Sequence, residues 1–247
     1  MQDFDLHVHS TFSDGVDTPE DIVREALDLG MKRIGISDHS YLKDAEDWCM
    51  REEDIPRYRR TIADLKEKYR GKIEVLCGIE QDLFSPKPAI GFDYVIGSVH
   101  FLRNGTELAA VDETPDVLQD AANRWFDGDM YKVVQLYYRE VSQVVAITRA
   151  DIIGHVDLIT KFNENSVLFD EADSRYLDVA HTALDTLLDT QKPFEINFGA
   201  IIRGYRSVPY PSPDLQRYIV AHGGSFVLSS DSHAKGTLCY GFNTRNL

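Results

Sequence analysis

Seven short β-prone runs recur along this chain of 247 residues, and six of them end in histidine or a carboxylate. Phe4-Asp5-Leu6-His7-Val8-His9 opens the series, and Arg33-Ile34-Gly35-Ile36-Ser37 leads into Asp38-His39. Ile73-Glu74-Val75-Leu76-Cys77-Gly78-Ile79 leads into Glu80, and Tyr94-Val95-Ile96-Gly97-Ser98-Val99 into His100. Asp151-Ile152-Ile153-Gly154 precedes His155, while Pro193-Phe194-Glu195-Ile196-Asn197 is the one run without such an ending. Ser225-Phe226-Val227-Leu228-Ser229-Ser230 closes the series at Asp231-Ser232-His233. In the first run apolar and polar residues alternate, the period of a half-buried strand, so His7 and His9 project to one side.

Helical patterns separate the strands. Thr18-Pro19-Glu20-Asp21 is a helix start, with Thr as cap, Pro at the first helical position and acids at the positive dipole end. Ile22, Val23, Ala26 and Leu27 form its apolar stripe, and Gly30 can end it. Further helical stretches carry Tyr58, Ile62 and Leu65, span about 114 to 149 from Thr114-Pro115-Asp116, span about 174 to 190, and begin near Ser212-Pro213-Asp214. Strands alternating with helices imply parallel pairing with right-handed crossovers. An open doubly wound sheet would gather its polar residues at one switch point. Strand-end candidates on six of seven strands converge only if the sheet closes. The expectation is an α/β fold, a (β/α)7 barrel in a single domain over 1–247.

Composition narrows the function. The net charge of −15 argues against binding a nucleic acid polymer through its backbone. It also argues against a phosphate-bearing substrate, unless metal ions supply positive charge locally. No apolar run reaches the length of a membrane span and no leader-like segment precedes the first strand. Cys49, Cys77 and Cys239 are odd in number and widely spaced, so a reducing cytoplasm is the expected location.

His7, His9, His39, His100, His155 and His233 sit at or just after strand ends; His181 and His222 lie in helices. Asp38, Glu80 and Asp231 hold equivalent strand-end positions. Taken singly, each is an ordinary polar loop residue. Six imidazoles and several carboxylates on one barrel mouth would repel on protonation and cost desolvation energy, and divalent cations remove both problems. Imidazole and carboxylate without thiolate suit Zn, Mn, Fe or Co, and this many ligands exceed one ion's needs, so two or three are expected. A carboxylate shared between adjacent ions fits two-metal hydrolysis.

These residues resemble a known family. His7-Val8-His9, Ser37-Asp38-His39, Gly78-Ile79-Glu80, Gly97-Ser98-Val99-His100, Gly154-His155 and Ser230-Asp231-Ser232-His233 resemble the successive motifs of the PHP (polymerase and histidinol phosphatase) superfamily. The stretches 92–101, 154–162 and 209–212 bring the chain nearest to its PHP-type histidinol-phosphatases. The resemblance implies a distorted TIM-like (β/α)7 barrel with a trinuclear metal site. By position, one ion would take His7, His9, Glu80 and Asp231, and a second would share Glu80 and add His100 and His155. The third would take His39, His233 and Asp14, the last where many relatives place histidine and others place aspartate.

The resemblance further implies a phosphomonoesterase that converts L-histidinol phosphate to L-histidinol and phosphate by metal-hydroxide attack. Its catalytic set would include Glu80, His39 and Asp231. Lys161, after the His155 motif, and Arg203, in the loop after the sixth strand, join that set by position, since both should overhang the barrel mouth and grip phosphate, with solvated surface cations as the plainer role for them and for Arg206. Asp82, Phe101 and Tyr205 are candidates to hold an imidazole and amine, with packing or solvated surface as the plainer role. Ser10, Ser98 and Ser232 are expected to orient neighbours. Two alternatives stand beside this reading: a phosphoesterase for nucleotides or other small esters, and a non-catalytic metal-binding module.

Overall fold

The computed structural model describes residues 2–43, 45 and 47–243. The chain opens with β1 (Phe4–Asp5), α1 (Pro19–Asp28), β2 (Arg33–Ile36), α2 (Ile55–Lys68), β3 (Glu74–Asp82) and β4 (Tyr94–Ser98). A hairpin follows, β5 (Phe101–Asn104) and β6 (Glu107–Ala110), and then α3 (Pro115–Phe126), α4 (Met130–Val141) and α5 (Val144–Thr148). The last part holds β7 (Ile152–Ile153), α6 (Ser174–Leu188), β8 (Phe194–Asn197), α7 (Gly199–Ile202), α8 (Pro213–Ala221) and β9 (Phe226–Ser229).

Seven strands form one parallel sheet in the order β1-β2-β3-β4-β7-β8-β9. Its two edges meet just beyond β1 and β9. His9 N–H donates to the Ser232 carbonyl at 2.8 Å, and Ser232 N–H donates to the His7 carbonyl at 3.2 Å. Pairing across that seam closes the expected seven-stranded barrel. Among the described residues no helix is long and apolar enough to cross a membrane.

Local sequence explains the helix starts. Thr18 and Thr114 accept hydrogen bonds from the Asp21 and Val117 amides, each directly before a proline at the first helical position. The long helical stretch expected over 114–149 is three helices. It breaks at Asp127-Gly128, both with positive φ, and again at Ser142-Gln143. The β5–β6 hairpin was not anticipated; Gly105, at φ +63°, turns its two-residue loop.

The alternation of the first run is cut short. The ladder stops at Asp5, whose carboxylate accepts the His7 amide at 3.3 Å. Leu6 then packs with Tyr94 and Ile96, while Val8 packs with the helices α1 and α2. Both sides of the run are covered, as in other parallel barrels. Tyr94 crosses the barrel floor to donate to the Leu6 carbonyl at 2.5 Å. It passes over Gly35 and Gly78, where an added Cβ would come within 2.1 Å of its hydroxyl and 2.2 Å of its ring, respectively. The floor is thereby sealed below the polar cluster at the other end.

Candidate metal centre

Glu80 is the last inward residue but one of β3, and its buried carboxylate stands at the middle of the barrel mouth. His39 Nδ1 lies 2.7 Å, His7 Nε2 3.3 Å and His9 Nε2 3.6 Å from its Oε2. His155 Nε2 lies 2.8 Å and His100 Nε2 3.4 Å from Oε1. Asp231, at φ +52° after β9, brings Oδ1 to 3.4 Å from His9 Nε2 and 3.8 Å from His7 Nε2. Asp14 closes the outer side, with Oδ2 3.1 Å from His233 Nε2 and Oδ1 3.7 Å from His9 Nδ1 and His39 Nε2. All nine residues expected as metal ligands thus converge. Within each of three overlapping groups, His9-Asp14-His39-His233, His7-His9-Glu80 and His39-Glu80-His100, the candidate ligand atoms lie within 4.8 Å of one another.

The cluster fits divalent cations on its own chemistry. His7 Nε2 and both ring nitrogens of His9 are buried without a hydrogen-bond partner. Each such atom costs about 1–3 kcal/mol, a cost that coordination would remove. Burial drives the imidazoles toward neutrality, but Glu195, Glu80 and Asp231 around His7, and Glu80 and Asp82 around His100, hold both rings well above the ordinary histidine range. His9 is pushed down to about 3 by burial and by the His233 and His39 rings. Burial opposes ionisation of Glu80 and Asp231 as well. His7, His39 and His100 nonetheless keep Glu80 well below the carboxylate range, and Arg203 and His7 do so for Asp231. A cation bound among these groups would replace protons.

The acids that do not face the cluster hold it in place. Asp38, which shares the strand-end position, turns away and accepts from the backbone and hydroxyl of both Ser10 and Ser13, shaping the loop that carries Asp14. Asp82 is buried and accepts from the His100 amide at 3.0 Å and ring Nδ1 at 3.1 Å, so it serves that ring. Glu195, to which the sequence reading gave no role, lies 2.7 Å from His7 Nδ1. A charged residue within the buried β8 run is the signal that could have marked it.

Above the cluster opens a cavity of about 520 Å³, with Trp48, Phe101, Asp47, Asp112, Lys161 and Arg203 among its walls. Arg203 donates to Asp231 Oδ2 at 2.9 Å and stands 3.1 Å from His233 Nδ1. Lys161 is nine-tenths buried, bonded to the Asp112 carbonyl at 2.7 Å and set against the Phe162 and Tyr205 rings. Arg206 is outside the cavity and binds Glu171 and the Thr160 carbonyl, bracing the loops that carry Lys161 and Arg203.

Residues 5–198 match the family model of the PHP domain. The chain is 24% identical over 266 residues to the histidinol-phosphatase of Bacillus subtilis, covering 98% of this chain and 97% of that one. The crystal structure of hisK from Listeria monocytogenes superposes with a TM-score of 0.82 at 19% identity, over 98% of this chain and 99% of the other. The histidinol phosphate phosphatase of Lactococcus lactis, solved with zinc, L-histidinol and phosphate, gives 0.67 at 22% identity over 95% and 87%. With the barrel, the ordered motifs and a match over most of its length, the chain belongs to the PHP domain family.

Proposed function

We propose that residues 1–247 work as one metal-dependent phosphomonoesterase domain that hydrolyses L-histidinol phosphate to L-histidinol and phosphate. The observation that carries the reading is Glu80, ringed by imidazoles at the mouth of a cavity whose upper wall bears Arg203 and Lys161. The substrate named for the Bacillus subtilis relative supports the choice of ester. Two or three divalent cations, Zn, Mn or Fe, would be held by His7, His9, Glu80 and Asp231, by Glu80, His100 and His155, and by Asp14, His39 and His233. When bound, such cations activate water as a nucleophile and neutralise phosphoryl charge.

The chain's own residues do the rest. Glu80, kept anionic by its imidazole neighbours, joins the inner ligand groups into one unit. Arg203 is fastened to Asp231 by both terminal nitrogens, Nη2 to Oδ2 at 2.9 Å and Nη1 to the carbonyl at 3.3 Å, and the N–H groups not used there can take phosphoryl oxygens. Lys161 adds a fixed positive charge to the same cavity. Asp47, Asp112 and Glu113 line the same cavity and favour a substrate whose leaving group carries a cationic amine. The strongly negative chain disfavours a nucleic acid polymer, and the free thiols of Cys77 and Cys239 suit the cytoplasm.

The test is a steady-state assay of metal-replete enzyme on histidinol phosphate beside mononucleotides and sugar phosphates. A kcat/KM for histidinol phosphate at least about 100-fold above the panel is expected. Comparable values across the panel would overturn the substrate assignment.

A further inference from the structure

We infer that Glu195 is a positioning residue that fixes the ligand tautomer of His7 and couples the placement of three metal-ligating residues. The inference rests on the metal-binding part of the function proposed above and is independent of the substrate. Glu195 lies in β8, is buried, and sits behind the ligand cluster rather than on the cavity wall. Its Oε1 accepts from the Ser229 hydroxyl at 2.6 Å and lies 2.7 Å from His7 Nδ1. Its Oε2 accepts from the His155 amide and the Asn197 side-chain amide, each at 3.2 Å.

Those four partners occupy the lone pairs of a carboxylate, which leaves Glu195 no oxygen to offer a cation. It acts instead through its neighbours. Ser229, His155 and Asn197 each donate to the carboxylate, and its remaining acceptor position meets His7, which places a ring proton on Nδ1. With a cation bound in place of the second ring proton, His7 Nε2 would be the lone-pair nitrogen, and it is the atom that faces Glu80 Oε2 and Asp231 Oδ1. The same carboxylate holds the backbone of His155, and through Asn197, whose amide also lies 3.3 Å from Asp231 Oδ2, it reaches a third ligand. One side chain thereby ties ligands that follow β1, β7 and β9. The outer group of Asp14, His39 and His233 lies beyond its reach. A carboxylate behind a ligating histidine raises the ring's donor strength and fixes its orientation, and its loss costs about 10–100-fold in metal affinity.

Two measurements test this. Metal-free parent and Glu195→Gln proteins are titrated with Zn²⁺ against a chromophoric chelator. The expected result is a loss of about 10–100-fold in affinity at the inner sites, with the outer site unchanged and turnover largely recovered at saturating metal. Inner-site affinity within twofold of the parent would overturn the proposal, as would an equal loss at all sites. Because the variant could fail to fold, nitrogen-15 NMR of histidine rings is recorded on the zinc-loaded parent. Protonated Nδ1 and zinc-bound Nε2 at His7 are expected, and the opposite assignment would overturn the proposal. A parent that binds zinc but spares histidinol phosphate would instead refute the substrate reading alone.

Discussion

Asp14 and His233 face each other across the outer edge of the barrel mouth, carboxylate oxygen to ring nitrogen at 3.1 Å. They come from the loops after β1 and β9, the two strands whose seam closes the sheet. Despite its burial, the neighbouring His39 and His233 hold the Asp14 carboxyl well below its usual range. An aspartate here therefore supplies the anionic oxygen that the outer group needs. Asp14→Ala should remove one metal equivalent and lower kcat/KM by about 100-fold, with folding intact. Elemental analysis of the purified variant checks it; unchanged metal stoichiometry would exclude Asp14 as a ligand.

Glu80 meets imidazoles on both of its oxygens, so its removal strikes more than one ion. Glu80→Ala should lose the inner metals together and reduce turnover by at least about 10⁴-fold. Full metal content with residual activity near the parent would refute a bridging role.

Arg203 and Lys161 should differ in weight. Arg203 keeps part of a planar guanidinium fork free beyond its two bonds to Asp231, whereas Lys161, held by the Asp112 carbonyl, offers only a point charge. Arg203→Ala is expected to cost about 10–100-fold in kcat/KM, and Arg203→Lys should not restore it because a point charge lacks the fork. Lys161→Ala should cost less, about tenfold or under. Steady-state kinetics at saturating metal distinguish the two, and a larger effect for Lys161 would reverse the assignment.

The floor makes a separate prediction about stability. Gly78→Ala should destabilise the fold by about 1–3 kcal/mol through collision with Tyr94, read as a lower midpoint in urea. In a Tyr94→Leu background the same change should cost much less. Equal costs in both backgrounds would show that Tyr94 is not the obstacle.

The thiols carry a pH dependence. Burial, with Asp93 beside Cys77 and Asp5 beside Cys239, pushes both thiols up to about 12. Between the unfolded thiol pKa of about 9 and 12 the folded state holds the extra protons, so stability should fall as pH rises through that window and be unaffected below it. Disulfide-exchange labelling at pH 8 should leave Cys77 and Cys239 unmodified in the native protein and modify both in urea. Rapid native labelling of either would contradict the burial argument.

Most of the candidate ligand set was legible because its placement depends on local chemistry. Each imidazole or carboxylate follows a β-prone run, and a parallel barrel brings such ends together whatever its details. Helix starts at Thr18-Pro19 and Thr114-Pro115 were legible for a similar reason, since a cap and the proline after it act within one turn. The roles of the other acids were not. Asp38 and Glu80 occupy like positions after their runs, yet one binds Ser10 and Ser13 while the other collects five rings. Asp82, two residues beyond Glu80, serves His100 rather than substrate.

By itself the sequence determined the residue types at the barrel mouth, their order, and the alternation that makes a parallel barrel the natural fold. Tertiary structure alone decided which carboxylate meets which ring, that Glu195 stands behind His7, that Tyr94 seals the floor over two glycines, and that Lys161 is tied to Asp112. Strand identity depends on a pattern of a few residues, whereas each of these pairings depends on the register and closure of strands far apart in the chain. A shift of one residue in that register would turn each side chain to the opposite face.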